Sequence, residues 1–405
     1  MTLNTIINKF KSLITLASRK RYYNFMAIFA AIIFLSGCSE YSTNEMFSPY
    51  SQPEQVKNPA KWQYIGDIDA DGIASVEKTC VWVDKMTPYA AYLDSGAGGK
   101  VSVMKFNDII WESLGPKWIS ESSSSYPAFA IKNGKYYAAF CDGGDSSRIN
   151  FLRYNSPLEW GRLGNNVISS KPTSFCSIDI SDTGIFYAAY CDNEYNDRVC
   201  VKQFNANGRD WESAGNTDIY NYKASDTIIS VSRNVPYIAF IDKDRYGSNG
   251  KIFVMKLNMT SNKWEMLGSG GIGSGSAAYL DFKVSDEGVP YIAFCEGSNN
   301  SKLRVMKFLN NSWSYIENNG VSSGPATYSK IYIYNSMPYV AYCDYVNNQK
   351  LTVACYDGKT WKNIGGAGFT PGAITNISLF VHYSAPYVAF CDKTSNDKIR
   401  VMKYE

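Results

Sequence analysis

Ile331-Tyr332-Ile333-Tyr334-Asn335-Ser336-Met337-Pro338-Tyr339-Val340-Ala341-Tyr342-Cys343-Asp344, followed by Leu351-Thr352-Val353-Ala354-Cys355-Tyr356 and by Trp361-Lys362-Asn363-Ile364-Gly365, reads as four short β-type runs separated by turns. Along Leu351 to Tyr356 successive side chains must face two different neighbours in turn, as they do on a pleated strand. The unit is repeated. Tryptophan returns at Trp62, Trp111, Trp160, Trp211, Trp264, Trp313 and Trp361, in steps of 48 to 53 residues. An acid keeps the same beat at Asp94, Asp142, Asp192, Asp242, Glu296, Asp344 and Asp392, each closing a Tyr-x-Ala-aromatic string. Periods of this size mark a stacked or circular array, and four short strands per period mark a propeller blade.

The final unit stops at Val401-Met402-Lys403-Tyr404-Glu405, a third run with no fourth after it. The missing tryptophan run stands at the other end, as Lys61-Trp62-Gln63-Tyr64-Ile65-Gly66. The expected fold is therefore all-β: a seven-bladed β-propeller with four antiparallel strands per blade, its ring closed by the N-terminal strand completing the last blade. Closure removes the unpaired edges that an open array would expose.

Residues 1–37 read as a targeting segment, 38–60 as a flexible tether and 61–405 as the propeller. Lys9, Lys11, Arg19, Lys20 and Arg21 precede a short apolar run from Met26 to Leu35, only about half the roughly 20 residues that a spanning helix needs. Leu35-Ser36-Gly37-Cys38 resembles the lipobox of bacterial lipoproteins, which implies cleavage before Cys38, lipid on that cysteine, palmitate included, and a place outside the cytoplasmic membrane in the cell envelope. Such a cut leaves 35 basic against 37 acidic residues, with no basic stripe of the kind nucleic acid requires. The polar segment up to Pro59 carries Pro49 and Pro53 and little that packs.

Pro386-Tyr387-Val388-Ala389-Phe390-Cys391-Asp392, Lys398-Ile399-Arg400-Val401-Met402-Lys403-Tyr404 and the Trp-x-x-x-Gly string resemble bacterial secreted and surface-anchored propeller proteins. That resemblance bears on fold and location and implies no common activity.

Each repeated acid is followed by a base: Asp94 and Lys100, Asp142 and Arg148, Asp192 and Arg198, Glu296 and Lys302, Asp344 and Lys350, Asp392 and Lys398 are six apart, and Asp242 and Lys251 nine apart. A hairpin between the second and third strands brings each pair together, so a rim of structural ion pairs is expected. Cys141, Cys191, Cys295, Cys343 and Cys391 share one repeat position, and on different blades they stand too far apart for a disulfide. They read as small buried thiols, with Cys191–Cys200 and Cys343–Cys355 left open as cross-strand pairs. His382, the only histidine, falls in the first strand of the last blade, expected to line the central channel. No second histidine, no Gly-x-Ser-x-Gly elbow and no sialidase-type Ser-x-Asp-x-Gly-x-Thr-Trp box accompanies it, so no catalytic residue is assigned.

Asp67-Ile68-Asp69-Ala70-Asp71-Gly72 places carboxylates at alternate positions before a glycine, with Ser75 at the ninth place, a spacing that wraps oxygen around calcium in EF-hand-like loops. Lys78 stands where such a loop carries its closing glutamate, so the same string also reads as a plain acidic turn. No cofactor is required by the sequence, and calcium is the one candidate. Trp118, Tyr220 and Tyr222 lie in connections between blades, outside the framework tryptophans, and suit stacking on a sugar or gripping a peptide. The chain thus reads as a lipid-anchored module that binds a glycan, peptide or protein through one propeller face. A glycan-active hydrolase or lyase with its site at the channel mouth, and a structural envelope protein, are the alternatives.

Overall fold

A computed structural model describes residues 60–68, 76–164, 168–205, 209–217, 219–244 and 250–405. Within them the chain forms seven sheets of four antiparallel strands and almost no helix. Blade one, for example, runs Val76–Asp84, Thr87–Asp94, Lys100–Phe106 and Trp111–Ser113. Blade three runs Thr173–Ile180, Phe186–Asp192, Arg198–Asn205 and Asp210–Ser213. The first strand of each blade touches the first strand of the next, and that of blade seven touches that of blade one, so the array is a closed seven-bladed β-propeller.

Closure is made by the strand that the sequence designated. Trp62–Tyr64 pairs antiparallel with the final strand, Trp62 opposite Tyr404 and Tyr64 opposite Met402. Backbone bonds from Lys61 to Glu405 (2.8 Å) and from Ile65 to Val401 (2.9 Å) extend the seam.

The second strand of each blade is almost wholly buried because both of its faces meet a neighbouring blade. In blade three, Tyr187, Ala189 and Cys191 pack against Ile229, Ile238 and Phe240 of blade four. The alternate residues Ala188 and Tyr190 pack against Tyr137, Ala139 and Phe151 of blade two. The repeated alanines leave room for the sheets to approach, and the flanking aromatics fill the space beside them. The repeat-position cysteines are buried free thiols, and burial pushes Cys191, Cys295 and Cys391 up to about 12. Cys200 is opposite Tyr190 while Cys191 is opposite Val199, so these two thiols point to opposite faces. Cys343 is opposite Leu351 and Cys355 opposite Tyr339, two pleats away along the hairpin. Neither suggested cross-strand disulfide is present.

The Trp-x-x-x-Gly string is an inter-blade latch. The indole Nε1 of Trp160 donates to the carbonyl of Leu114 in the preceding blade at 2.8 Å, and the residue after that carbonyl is Gly115. Trp62, Trp111, Trp211, Trp264 and Trp313 make the same bond to the residue before Gly365, Gly66, Gly164, Gly215 and Gly268. Gly115 takes φ +97°, and a Cβ there would come within 2.6 Å of the Trp160 indole nitrogen. Glycine is therefore required twice, by the left-handed backbone and by the indole. Gly134 supplies a comparison, since it also has positive φ (+70°) but has nothing near its missing Cβ.

Gly115→Ala is accordingly expected to lower stability in urea unfolding by about 1–3 kcal/mol, with Gly134→Ala costing clearly less because it carries the backbone strain alone. Equal losses would mean that the indole contact contributes nothing.

Candidate functional site

The repeated acids mark the face of the turns between second and third strands, and the structure shows what they do there. Each opposes its predicted base in the ladder, Asp94 opposite Lys100 and Asp392 opposite Lys398 among them. The register is as expected, but the charges are used differently. A carboxylate oxygen of Asp142, Asp192, Asp242, Asp344 and Asp392 accepts the backbone N–H two residues on, at 2.9 to 3.1 Å, and that of Asp94 the N–H three residues on. Capping the tight turn gives the carboxylate a fixed donor, whereas a long lysine would lose side-chain entropy to reach it. The bases go elsewhere: Arg148 to Asp145, and Lys251 to the carbonyl of Gly273 at 2.9 Å.

The second oxygen of the acid distinguishes the blades. Asp94 accepts from the Trp118 indole (3.2 Å), Asp142 from Asn150 (3.1 Å), Asp242 from the Tyr220 hydroxyl, and Asp344 from Thr352 (3.0 Å). Glu296 does not cap its turn: one oxygen accepts from Ser274 N–H (2.8 Å) and the Tyr315 hydroxyl (2.7 Å) and the other has Arg304 at 3.5 Å, while the second oxygen of Asp392 takes Ser395 (3.2 Å) and Arg400. Asn150, Arg304, Thr352 and Arg400 all occupy one site on the third strand, eight residues past the acid. In blade three that site holds Cys200, and no side chain among the described residues donates to the second oxygen of Asp192. A cavity of about 430 Å³ opens there, lined by Asp192, Tyr195, Arg198, Cys200, Lys202 and Trp211 among others. Burial raises the Asp192 carboxyl above its ordinary value.

A second feature surrounds the channel on the same face. In every blade the first strand carries a register shift close to where it pairs with the acid end of the second, for instance between Ser125 and Ala128. In blades two to seven the residue at that bulge is Tyr126, Phe175, Asp226, Tyr279, Tyr328 and Asn376, with φ between +50° and +56°. A left-handed conformation suits asparagine and aspartate and is costly for aromatic side chains. Four of these six residues are nonetheless aromatic. Tyr126 and Phe175 touch with ring centres 5.2 Å apart, as do Tyr279 and Tyr328 on blades five and six across the ring. Asp226 and Asn376 stand between the two pairs. Below this collar lies a cavity of about 400 Å³ lined by first strands of all seven blades, including Lys78, Lys283 and Lys330. Lys78 Nζ lies 4.0 Å from the centre of the Tyr126 ring, and Lys330 pairs with Asp281 at 3.7 Å. Burial raises the phenols of Tyr126, Tyr279 and Tyr328.

The aromatics singled out in the sequence lie on this face but not together. Trp118, 38% exposed, has Lys100 and Lys117 within 5.3 Å of its ring centre and does not line the blade-three cavity. Tyr220 is buried, lines that cavity and packs on Tyr222, which is 41% exposed. His382 sits at the opposite end of its strand from the collar, outside the channel cavity, where burial lowers its pKa. Asp67 is in contact with Arg400, while Asp69, Asp71, Ser75 and Cys38 lie outside the described residues. Among the described residues no cluster of three or more metal-ligating side chains is formed.

No protein-family model and no curated protein matches this sequence. Solved structures do match in shape. The polysaccharide lyase Uly1 superposes with a TM-score of 0.55 at 10% identity, covering 87% of this chain and 94% of that one. A PL25 ulvan lyase bound to -[GlcA(1-4)Rha3S]- gives 0.54 at 13% identity, over 84% and 94%. A puromycin-hydrolysing peptidase of Mycobacterium tuberculosis gives 0.51 at 11% identity, over 84% and 55%. At such identities the likeness establishes the fold alone.

Proposed function

We propose that the protein recognises a polysaccharide at the channel mouth, with a sugar ring held against the Tyr126–Phe175 and Tyr279–Tyr328 pairs. The observation that carries this reading is the choice of residue at the bulges. Left-handed backbone costs roughly 1–3 kcal/mol at an ill-suited residue, and Asn376 marks the cheaper solution in the same fold. Aromatic side chains kept at such a cost, in facing pairs around an open cavity, provide flat apolar surface to the C–H face of a pyranose, with Asp226 and Asn376 beside them to accept and donate hydroxyl bonds. The shape likeness to polysaccharide lyases is consistent with a glycan ligand and supplies no residue-level match.

Cleavage of the glycan is the second reading, supported by Lys78, Lys283 and Lys330 within the same cavity as Tyr126. A lyase acting on a uronate needs cationic groups to stabilise charge on the carboxylate and a base for the adjacent carbon proton, and lysines beside a phenol provide both types of group. The two readings separate on incubation with an acidic polysaccharide, where an unsaturated, ultraviolet-absorbing product identifies a lyase and unchanged polymer identifies a binder.

Tyr126→Asn and Tyr279→Asn test the recognition itself. Each replaces an aromatic by a residue that accepts the bulge conformation, so melting temperature should hold or rise slightly while affinity for a glycan found by array screening falls about tenfold. Retained affinity in both variants would remove the collar from the site.

We further propose that Cys38 carries lipid and holds the propeller in the cell envelope, on the tether up to residue 60. Cys38→Ala should abolish palmitate labelling and membrane retention, and label persisting in that variant would refute the anchor. Calcium at Asp67, Asp69, Asp71 and Ser75 is a companion proposal resting on their spacing alone.

A further inference from the structure

The blade-three cavity is explained neither by the collar nor by the framework. In five of the other blades both oxygens of the repeated acid accept hydrogen bonds from within the fold, which makes them internal controls for blade three, and in the sixth the second oxygen of Glu296 has the Arg304 guanidinium beside it at 3.5 Å. Asp192 differs. It is only 3% exposed, one oxygen caps its turn through Glu194 N–H at 2.9 Å, and the other faces the cavity without a donor. Its ladder partner Arg198 lines the same cavity, and the Nε hydrogen of Arg198 also has no acceptor. Lys202, bonded to Ser213 Oγ at 3.1 Å, contributes a second positive charge.

The buried Arg198 N–H is costly, because it gives up hydration and gains no partner, while the second oxygen of Asp192 is open to the cavity and available to a donor. A ligand in the cavity can supply a partner to each. Such a ligand must donate a hydroxyl to Asp192 and present an anionic group to Arg198 and Lys202, so the net positive charge of the three side chains disfavours a cation or an amine. The wall also offers the Trp211 ring, and about 430 Å³ falls within the range of roughly 300–1,000 Å³ typical of small-ligand pockets.

We propose that this cavity binds a single hexuronate unit, one hydroxyl donating to Asp192 and the carboxylate facing Arg198 and Lys202. The site is separate from the channel mouth and stands whether or not the collar binds glycan. Cys200 creates it: a donor at that position would bond to Asp192 and close the pocket, as Asn150 does to Asp142 in blade two.

The test uses the intact propeller and follows its methyl or amide NMR shifts during titration with glucuronate, with glucose and with a disaccharide ending in glucuronate. Glucuronate should bind, and glucose should bind at least about tenfold more weakly because it lacks the charge. Cys200→Asn should supply the missing donor, raise the melting temperature and reduce glucuronate affinity by about tenfold or more. Asp192→Asn should weaken binding by a similar factor. Tighter binding of the disaccharide assigns the unit to a chain end, and equal or weaker binding assigns it to the free sugar. Absence of binding to the wild type, equal affinity for glucose, or undiminished affinity in Cys200→Asn would each overturn the proposal.

Discussion

The bond from the fourth-strand indole N–H to a carbonyl of the preceding blade, made by six of the seven framework tryptophans, is the contact on which the ring depends. It ties together strands that no backbone ladder joins, and it sets the spacing between blades at their outer edge. A single bond of this kind contributes only about 0.5–1.5 kcal/mol, so its importance lies in repetition and geometry. Trp62 makes it to Ile364, which means that the first strand in sequence latches the last blade to the sixth as any other blade is latched. Glu317, at the end of blade five, stands where the other blades have the glycine, and Trp361 of blade six uses its backbone N–H instead, donating to the Glu317 carboxylate at 3.3 Å. Loss of the glycine and replacement of the indole latch occur at the same place, as expected if the close approach of indole to backbone is what selects glycine.

At the inner edge the corresponding problem is solved by polar side chains. A first strand has no strand beyond it, and its free N–H groups must find acceptors in the neighbouring blade. Ser177 and Asp179 accept from Ile229 and Val231, Ser230 from Val284, and Asp281 from Ile331. Across the closure, Ser378 accepts from Val81 while Thr79 donates to the carbonyl of Asn376. Several of the charged and hydroxyl groups in the channel are therefore structural, which explains why burial raises Asp179 without making it a chemical site.

The tryptophan, glycine and acid repeats were legible in the sequence because each occupies a fixed place in every unit and each is enforced by geometry. The use of the acids was not. An aspartate six residues before a base suggests an ion pair, yet the nearer backbone N–H captures the carboxylate. The collar escaped because a bulge is not a sequence pattern. Tyr126, Asp226, Tyr328 and Asn376 precede their acids by 16 residues and Phe175 and Tyr279 by 17, so they align only when the inserted residue is allowed for. Cys200 is legible as a cysteine; its effect on Asp192 requires knowing that Asn150, Arg304, Thr352 and Arg400, at the same place in four other blades, reach their acids. Trp118, Tyr220 and Tyr222 are legible as aromatics of two separate blade connections, but sequence could not show that Tyr220 is buried while Trp118 and Tyr222 are exposed.

A symmetric frame with local departures gives the account its functional content: aromatic residues where the backbone favours asparagine, and a cavity where one acid lacks its partner. The central claim is that sugar rings rest on the aromatic collar. Saturation-transfer NMR, irradiating aromatic protons of the propeller in the presence of a polysaccharide fragment found by screening, reads that contact directly. The account predicts transfer to the axial C–H protons of the pyranose, abolished when Tyr126 and Tyr279 are both replaced by asparagine. Undiminished transfer in that double variant would contradict it.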